Sequence, residues 1–75
     1  MNMTDVDSSM IRSVGYDPKA KIMRILFVSG KTFEYSRVPT EVHDELMTSG
    51  SKGSYMRGEV IDCFPTRELK GRRRA

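Results

Sequence analysis

The sequence contains few of the residues that give small domains covalent or metal-based stability. Its 75 residues include one cysteine, Cys63, and one histidine, His43. A single cysteine cannot form a disulfide within the chain, and one cysteine with one histidine is too few for a structural zinc site. We therefore expect no metal and no cofactor, and a single domain that packing alone must stabilise.

Long apolar runs are also missing. No stretch approaches the roughly 20 apolar residues that a membrane-spanning helix needs. Residues 1–9 are polar and have neither the basic start nor the apolar run of a signal peptide. With the lone cysteine, which is typical of a reducing compartment, this composition predicts a cytoplasmic protein that does not act at a membrane.

The positive charge is concentrated in the C-terminal part of the chain. The formal net charge is +3, but residues 1–45 hold six basic and seven acidic side chains, whereas residues 46–75 hold seven basic and three acidic ones. Because a local excess of charge is what attracts a polyanion, the C-terminal part is the place to look for one.

Alternation of apolar and other residues predicts three strands, over residues 11–16, 21–28 and 32–37. The second strand is the clearest, since Met23, Ile25 and Phe27 alternate along it. Ile11 and Val14 are three residues apart, which indicates a bulge in the first strand.

Two helices are predicted after the strands. Pro39 suits a first helical turn, and Val42 and Leu46 are spaced to face the sheet. A second helix begins at 51–54, where serine can cap free N–H groups, and ends before Pro65. Its apolar residues recur at i, i+4 and i+8: Met56, Val60 and Phe64.

The predicted fold class is α+β, a three-stranded antiparallel meander with two C-terminal helices packed on one face, in the order β-β-β-α-α. Residues 10–65 form the domain. Residues 1–9 are predicted to be a flexible N-terminal segment, and residues 66–75 a flexible basic tail.

Catalytic motifs are not supported. Gly30-Lys31-Thr32 resembles the end of a phosphate-binding loop, but Ile25 stands where that motif needs glycine and the triplet lies between two strands. We interpret His43 as a surface residue of an acidic helix and Cys63 as a small, partly buried apolar residue. The chain is therefore predicted not to be an enzyme.

The segment 50–54 is the best candidate for binding an anion. Ser51, Lys52 and Ser54 can hold one phosphate at the predicted helix start, and Arg57 lies one turn further on. A helix–helix connection that uses glycine for its geometry and serine for capping is the alternative, although it does not require Lys52.

Further basic residues offer sequence-independent affinity for nucleic acid through release of counterions. The C-terminal group comprises Arg67, Lys70, Arg72, Arg73 and Arg74, with a merely solubilising tail as the alternative. A second group lies on or near the sheet: Arg12, Arg24, Lys31 and Arg37. The aromatic rings of Phe33, Tyr35 and Tyr55 can stack on bases. Phe33 and Tyr35, however, lie on the apolar strand face and are predicted to pack in the core.

Several short motifs resemble one known family in the order in which they occur. They are Ser8-Ser9, Ile11, Val14-Gly15-Tyr16-Asp17, Phe33-Glu34-Tyr35, Val38-Pro39, Val42 and Ser51-Lys52-Gly53-Ser54-Tyr55-Met56. This pattern, over about residues 8–65, resembles the KTSC domain, which occurs at the C-terminus of some lysyl-tRNA synthetases and as a separate bacterial or phage protein. The synthetase context implies RNA binding, and the resemblance implies no catalytic residue.

Two functions follow as hypotheses. The first is a non-enzymatic nucleic-acid-binding module, for RNA rather than DNA, with its site at 51–57 and in the basic tail. The second is a small protein-interaction adaptor, bacterial or phage-encoded, that docks on an unidentified host or phage protein through a sheet edge or through Leu26 and Val28. A third and weaker hypothesis is a small enzyme acting through Cys63 or His43. The oligomeric state is left open by the sequence.

Overall fold

The computed structural model describes residues 2–69 and confirms an α+β fold with an antiparallel sheet. The strands are β1 (Met3–Asp5), β2 (Ile11–Asp17), β3 (Ile22–Phe27), β4 (Thr32–Tyr35) and β5 (Thr66–Leu69), and they lie in sequence order across the sheet. The helices are α1 (Thr40–Thr48) and α2 (Lys52–Tyr55), and α2 runs directly into a π-helical segment (Met56–Val60).

The core lies on one face of the sheet. Met23 and Ile25 of β3 are fully buried, as are Leu46 of α1 and Met56 and Val60 of the π-helical segment. The alternation along β3 therefore marks the face that the helices cover. None of the helices within residues 2–69 is long and apolar enough to cross a membrane.

The central strands match the prediction closely. The register between β2 and β3 shifts between Ile11 and Ser13, which confirms the bulge. After β2, the Asp17 carboxylate accepts hydrogen bonds from the backbone N–H groups of Lys19 at 3.0 Å and Ala20 at 3.2 Å. This local side-chain capping forms the turn into β3.

The predicted number of strands was wrong. Within residues 2–69 the sheet has five strands, because β1 pairs with β2 and β5 pairs with β4. The two additional strands lie in segments that we had predicted to be flexible. Each is short, polar and at a sheet edge, so its pairing depends on a partner strand distant in sequence and leaves no alternating apolar pattern.

The second helix is also shorter than predicted. The N–H of Ile61 donates to the carbonyl of Met56 at 2.7 Å, which is the wide i→i+5 turn of a π-helix. Ile61 is extended, and Asp62 has the left-handed backbone angle φ 67°. Phe64 consequently lies outside the helix, although its side chain still packs against the core.

The pairing of β5 with β4 predicts that two shortened chains differ in stability. A chain ending at Leu69 keeps every described strand, whereas a chain ending at Pro65 loses β5 and leaves β4 paired with β3 alone. We expect the shorter chain to lose about 2 kcal/mol or more of unfolding free energy, since each ladder hydrogen bond contributes about 1 kcal/mol. Urea denaturation monitored by circular dichroism measures this difference. Equal midpoints for the two chains would contradict the pairing of β5.

Candidate functional site

A polar cleft of about 300 Å³ lies between the segment that precedes β2 and the connection from α1 to α2. It contains all four residues that the sequence indicated around the second helix. Its lining residues are Asp7, Ser8, Ser9, Met10, Gly50, Ser51, Lys52, Gly53, Ser54 and Arg57.

The segment before β2 forms the first wall of the cleft. The Ser8 hydroxyl accepts the backbone N–H groups of Met10 at 3.1 Å and Ile11 at 3.2 Å. A serine that bonds its own following backbone fixes a turn, so Ser8 directs the chain into β2. Ser9 remains exposed to solvent on this wall.

The connection from α1 to α2 forms the second wall. The Ser49 hydroxyl accepts the backbone N–H of Ser51 at 3.1 Å, and the Lys52 ammonium donates to the Ser49 carbonyl at 3.2 Å. A lysine ammonium has three donors, so Lys52 is anchored and still has two donors for another acceptor. The Ser51 side chain makes no capping hydrogen bond, contrary to the capping role we had considered for it.

The two walls meet at Gly53. A Cβ atom added there would lie 3.2 Å from the Met10 sulfur and 3.4 Å from the Met10 Cβ. Glycine therefore allows the start of α2 to approach the segment before β2 closely.

Charge in the cleft favours an anion. Its charged lining residues are Lys52, Arg57 and Asp7, which gives a local net charge of +1. Within the described residues, none of the three takes part in a salt bridge. Arg57 is exposed on the π-helical segment, so its guanidinium is free to contact a ligand.

An open apolar groove of about 690 Å³ adjoins the cleft. The cleft and the groove share Ser9, Met10 and Arg57. The other lining residues of the groove are Phe27, Val28, Ser29 and Phe33.

The three aromatic candidates have different environments. Tyr35 is buried in the core, as predicted, whereas Phe33 is half-buried and lines the groove. The Tyr55 hydroxyl donates to a Glu45 carboxylate oxygen at 2.7 Å and so ties α2 to α1. Desolvation and this hydrogen bond raise the pKa of Tyr55 to about 12.

Arg67 does not belong to the cleft. It lies on β5, on the sheet face opposite the helices, and donates to Glu34 Oε1 at 3.0 Å. Arg24 donates to Glu34 Oε2 at 2.6 Å from the neighbouring strand β3. The remaining predicted tail residues, Lys70, Arg72, Arg73 and Arg74, lie outside the described residues.

Two residues that we had considered for catalysis have different surroundings from those predicted. His43 is not a simple surface residue, because its ring stacks on Tyr16 with centroids 4.6 Å apart and its side chain is 23 % exposed. Cys63 is exposed rather than partly buried. Within residues 2–69, no three side chains of His, Cys, Asp or Glu come together as a group that could hold a metal ion.

The comparisons with known proteins place this architecture in a family. The KTSC domain model matches residues 7–64. The chain belongs to the KTSC domain family. A crystal structure of a KTSC domain protein from Yersinia pestis has a similar fold, with a TM-score of 0.90 and 33 % identity, and the match covers 92 % of this chain and 97 % of that one.

Sequence relatives of this KTSC domain include small proteins and longer enzymes. A protein of Tsukamurella paurometabola is 41 % identical over 62 residues, which are 83 % of this chain and 92 % of that protein. A lysine–tRNA ligase of Nostoc sp. is 37 % identical over 63 residues, which are 84 % of this chain but 11 % of the ligase. A KTSC domain therefore occurs both nearly alone and as a minor part of a longer protein.

The sequence indicated one wall of the cleft and missed the other. Ser51, Lys52, Ser54 and Arg57 are brought together as predicted. Asp7, Ser9 and Met10 were not predicted, because they are distant in sequence and carry no binding pattern of their own. The available signal was the family motif, which begins at Ser8-Ser9.

Glu34 gives a testable pH dependence. The hydrogen bond from Arg24 lowers the pKa of Glu34 below its ordinary value of 4.5, with Arg67 acting in the same direction and burial opposing both. A carboxylate with a lowered folded-state pKa stabilises the fold above the unfolded pKa, and this stabilisation is lost as pH falls through the folded pKa. Glu34→Gln should therefore cost about 1–2 kcal/mol at neutral pH, and less as the pH falls below 4.5.

Urea denaturation of the parent protein and of Glu34→Gln, between neutral pH and pH 3, measures this dependence. Glu68→Gln is the matched control, since Glu68 lies on β5 and forms no ion pair among residues 2–69. A Glu34→Gln deficit that does not shrink in acid would contradict the role of the carboxylate charge.

Gly53 and Gly58 predict opposite responses to the same substitution. A Cβ added at Gly58 meets nothing within 4 Å, so Gly58→Ala should raise the unfolding free energy by about 0.5–1 kcal/mol through reduced backbone entropy. At Gly53 the contact with Met10 opposes that gain, and Gly53→Ala should be neutral or destabilising. Thermal denaturation of both variants tests the close approach, and an equal gain at the two positions would show that Gly53 is not constrained.

Proposed function

We propose that this KTSC domain is a non-enzymatic nucleic-acid-binding module that binds RNA rather than DNA. The observation that carries the proposal is the meeting of Ser51, Lys52, Ser54 and Arg57 in one cleft. The C-terminal basic residues Arg67, Lys70, Arg72, Arg73 and Arg74 add affinity that does not depend on sequence.

The chemistry of the cleft suits one phosphate. The two spare donors of the Lys52 ammonium and the exposed Arg57 guanidinium supply positive charge. The hydroxyls of Ser51 and Ser54 are exposed on the same wall and can donate as well. Donors of this kind form most contacts between proteins and the nucleic-acid backbone.

Asp7 supports RNA as the ligand. An ionised carboxylate accepts hydrogen bonds and donates none, so it repels phosphate but suits a hydroxyl donor. The ribose 2′-hydroxyl is the donor that distinguishes RNA from DNA. The occurrence of the domain in a protein named lysine–tRNA ligase supports the same choice, and RNA as the ligand favours a cytoplasmic place of action.

The test is fluorescence anisotropy of a labelled single-stranded RNA with the protein ending at Leu69. This protein keeps β5 and lacks the arginine run, so any binding that it shows does not come from that run. Lys52→Ala with Arg57→Ala should weaken binding about tenfold or more, since hydrogen bonds to charged groups are the strong ones. The slope of log K against log salt should become less negative by about 0.7, because the cleft holds one phosphate and each phosphate contact with a single strand contributes about 0.7.

The matched control removes two positive charges from the opposite end of the sheet. Lys19→Ala with Lys21→Ala alters the turn after β2, whereas the cleft lies before β2. This control should leave the salt slope within error of the parent. If the control and the cleft variant weaken binding equally, general charge and not the cleft is responsible.

A protein-interaction adaptor, bacterial or phage-encoded, is the second candidate. It is favoured by the two sheet edges, which β1 and β5 form, and by Val28, which is 47 % exposed in the apolar groove. Binding to a protein through these features would tolerate salt, because apolar contacts and strand pairing are little screened. Absence of RNA binding by both the full chain and the chain ending at Leu69 would favour this candidate.

A further inference from the structure

We propose that the apolar groove receives one unpaired base of the RNA whose phosphate lies in the cleft, with the Phe33 ring as the surface on which the base stacks. This inference rests on the proposed function and adds the class of ligand, a single-stranded or looped nucleotide. Its basis is the junction between two different surfaces, one polar and cationic, the other apolar and aromatic.

The groove exists because the helices do not cover the whole apolar face of the sheet. Met23 and Ile25 are completely buried beneath them. On the neighbouring strand β4, Phe33 pairs with Ile25 but is only half-buried, and beyond the end of β3 Val28 is 47 % exposed. An apolar surface left open next to a polar one is typical of a binding site.

The Phe33 ring packs against a second aromatic ring. The rings of Phe33 and Phe27 are nearly perpendicular, with centroids 5.7 Å apart and an angle of 79° between the planes. This edge-to-face contact is a favourable aromatic geometry. Packing against Phe27 and the core restricts the Phe33 ring where it lines the groove.

The chemistry of the ligand follows from the place where the cleft and the groove meet. Arg57 lines both the cleft and the groove, so a ligand that fills both must place an anion beside an apolar, flat group. A nucleotide has this combination, and every base has a π-face that can stack on an aromatic ring. A base paired within a helix is not free to leave its stack, so the ligand must be single-stranded or a loop.

An abasic RNA strand distinguishes the contribution of the base to binding from that of the phosphate. It has the same number of phosphates as the intact strand but no group for the groove. The protein ending at Leu69 should bind an intact single-stranded RNA about tenfold more tightly than the abasic strand, since one stacked base contributes that much. Phe33→Leu, which keeps an apolar side chain, should abolish this preference and leave both the affinity for the abasic strand and the salt slope unchanged.

A second variant keeps the inference testable if Phe33→Leu lowers stability. Val28→Arg places a long side chain over the groove at an exposed position. It should remove the preference for the intact strand while affinity for the abasic strand does not fall, because a positive charge has been added. Lys52→Ala with Arg57→Ala should instead weaken both strands.

The possible outcomes distinguish this inference from the proposed function on which it rests. If the protein binds neither strand, the proposed function is wrong and the groove is free for a partner protein. If both strands bind equally, with a salt slope that depends on Lys52 and Arg57, the nucleic-acid site stands and the base groove is refuted. A preference that survives in both Phe33→Leu and Val28→Arg would also overturn the inference.

Discussion

Burial of one apolar sheet face by a few helical side chains is the constraint on which the rest of this small domain depends. Met23 and Ile25 offer that face, and Leu46, Met56 and Val60 cover it. Because both helical segments must contribute to this core, the connection between α1 and α2 is drawn towards the end of the sheet where β2 begins. The cleft is the surface consequence of that packing.

Local patterns predicted the central parts of the fold and failed where structure depends on distant partners. Alternation identified β2, β3 and β4, and the spacing of Met56 and Val60 identified two buried residues. Strands β1 and β5 were missed because each is short, polar and at an edge. The end of the second helix was missed because the wide turn closed by Ile61 follows from backbone geometry, which residue spacing does not reveal.

The candidate site, like the fold, could be predicted only where its residues are close in sequence. Ser51, Lys52, Ser54 and Arg57 are close in sequence, so one segment revealed them. The opposite wall is brought there by tertiary packing, in which Gly53 lets α2 approach Met10. The partner of Arg67 was also not predictable, because a sequence does not show that this arginine lies across a strand pair from Glu34.

The carboxylate of Glu34 has a consequence for the direction from which a polyanion approaches. Its charge sits between Arg24 and Arg67 on the sheet face away from the helices. Two cations that share an anion project a weaker field into solvent than two isolated cations. The outer face is therefore electrostatically quieter than its number of arginines implies. One nearly buried acid thus weakens the attraction of this face for a polyanion.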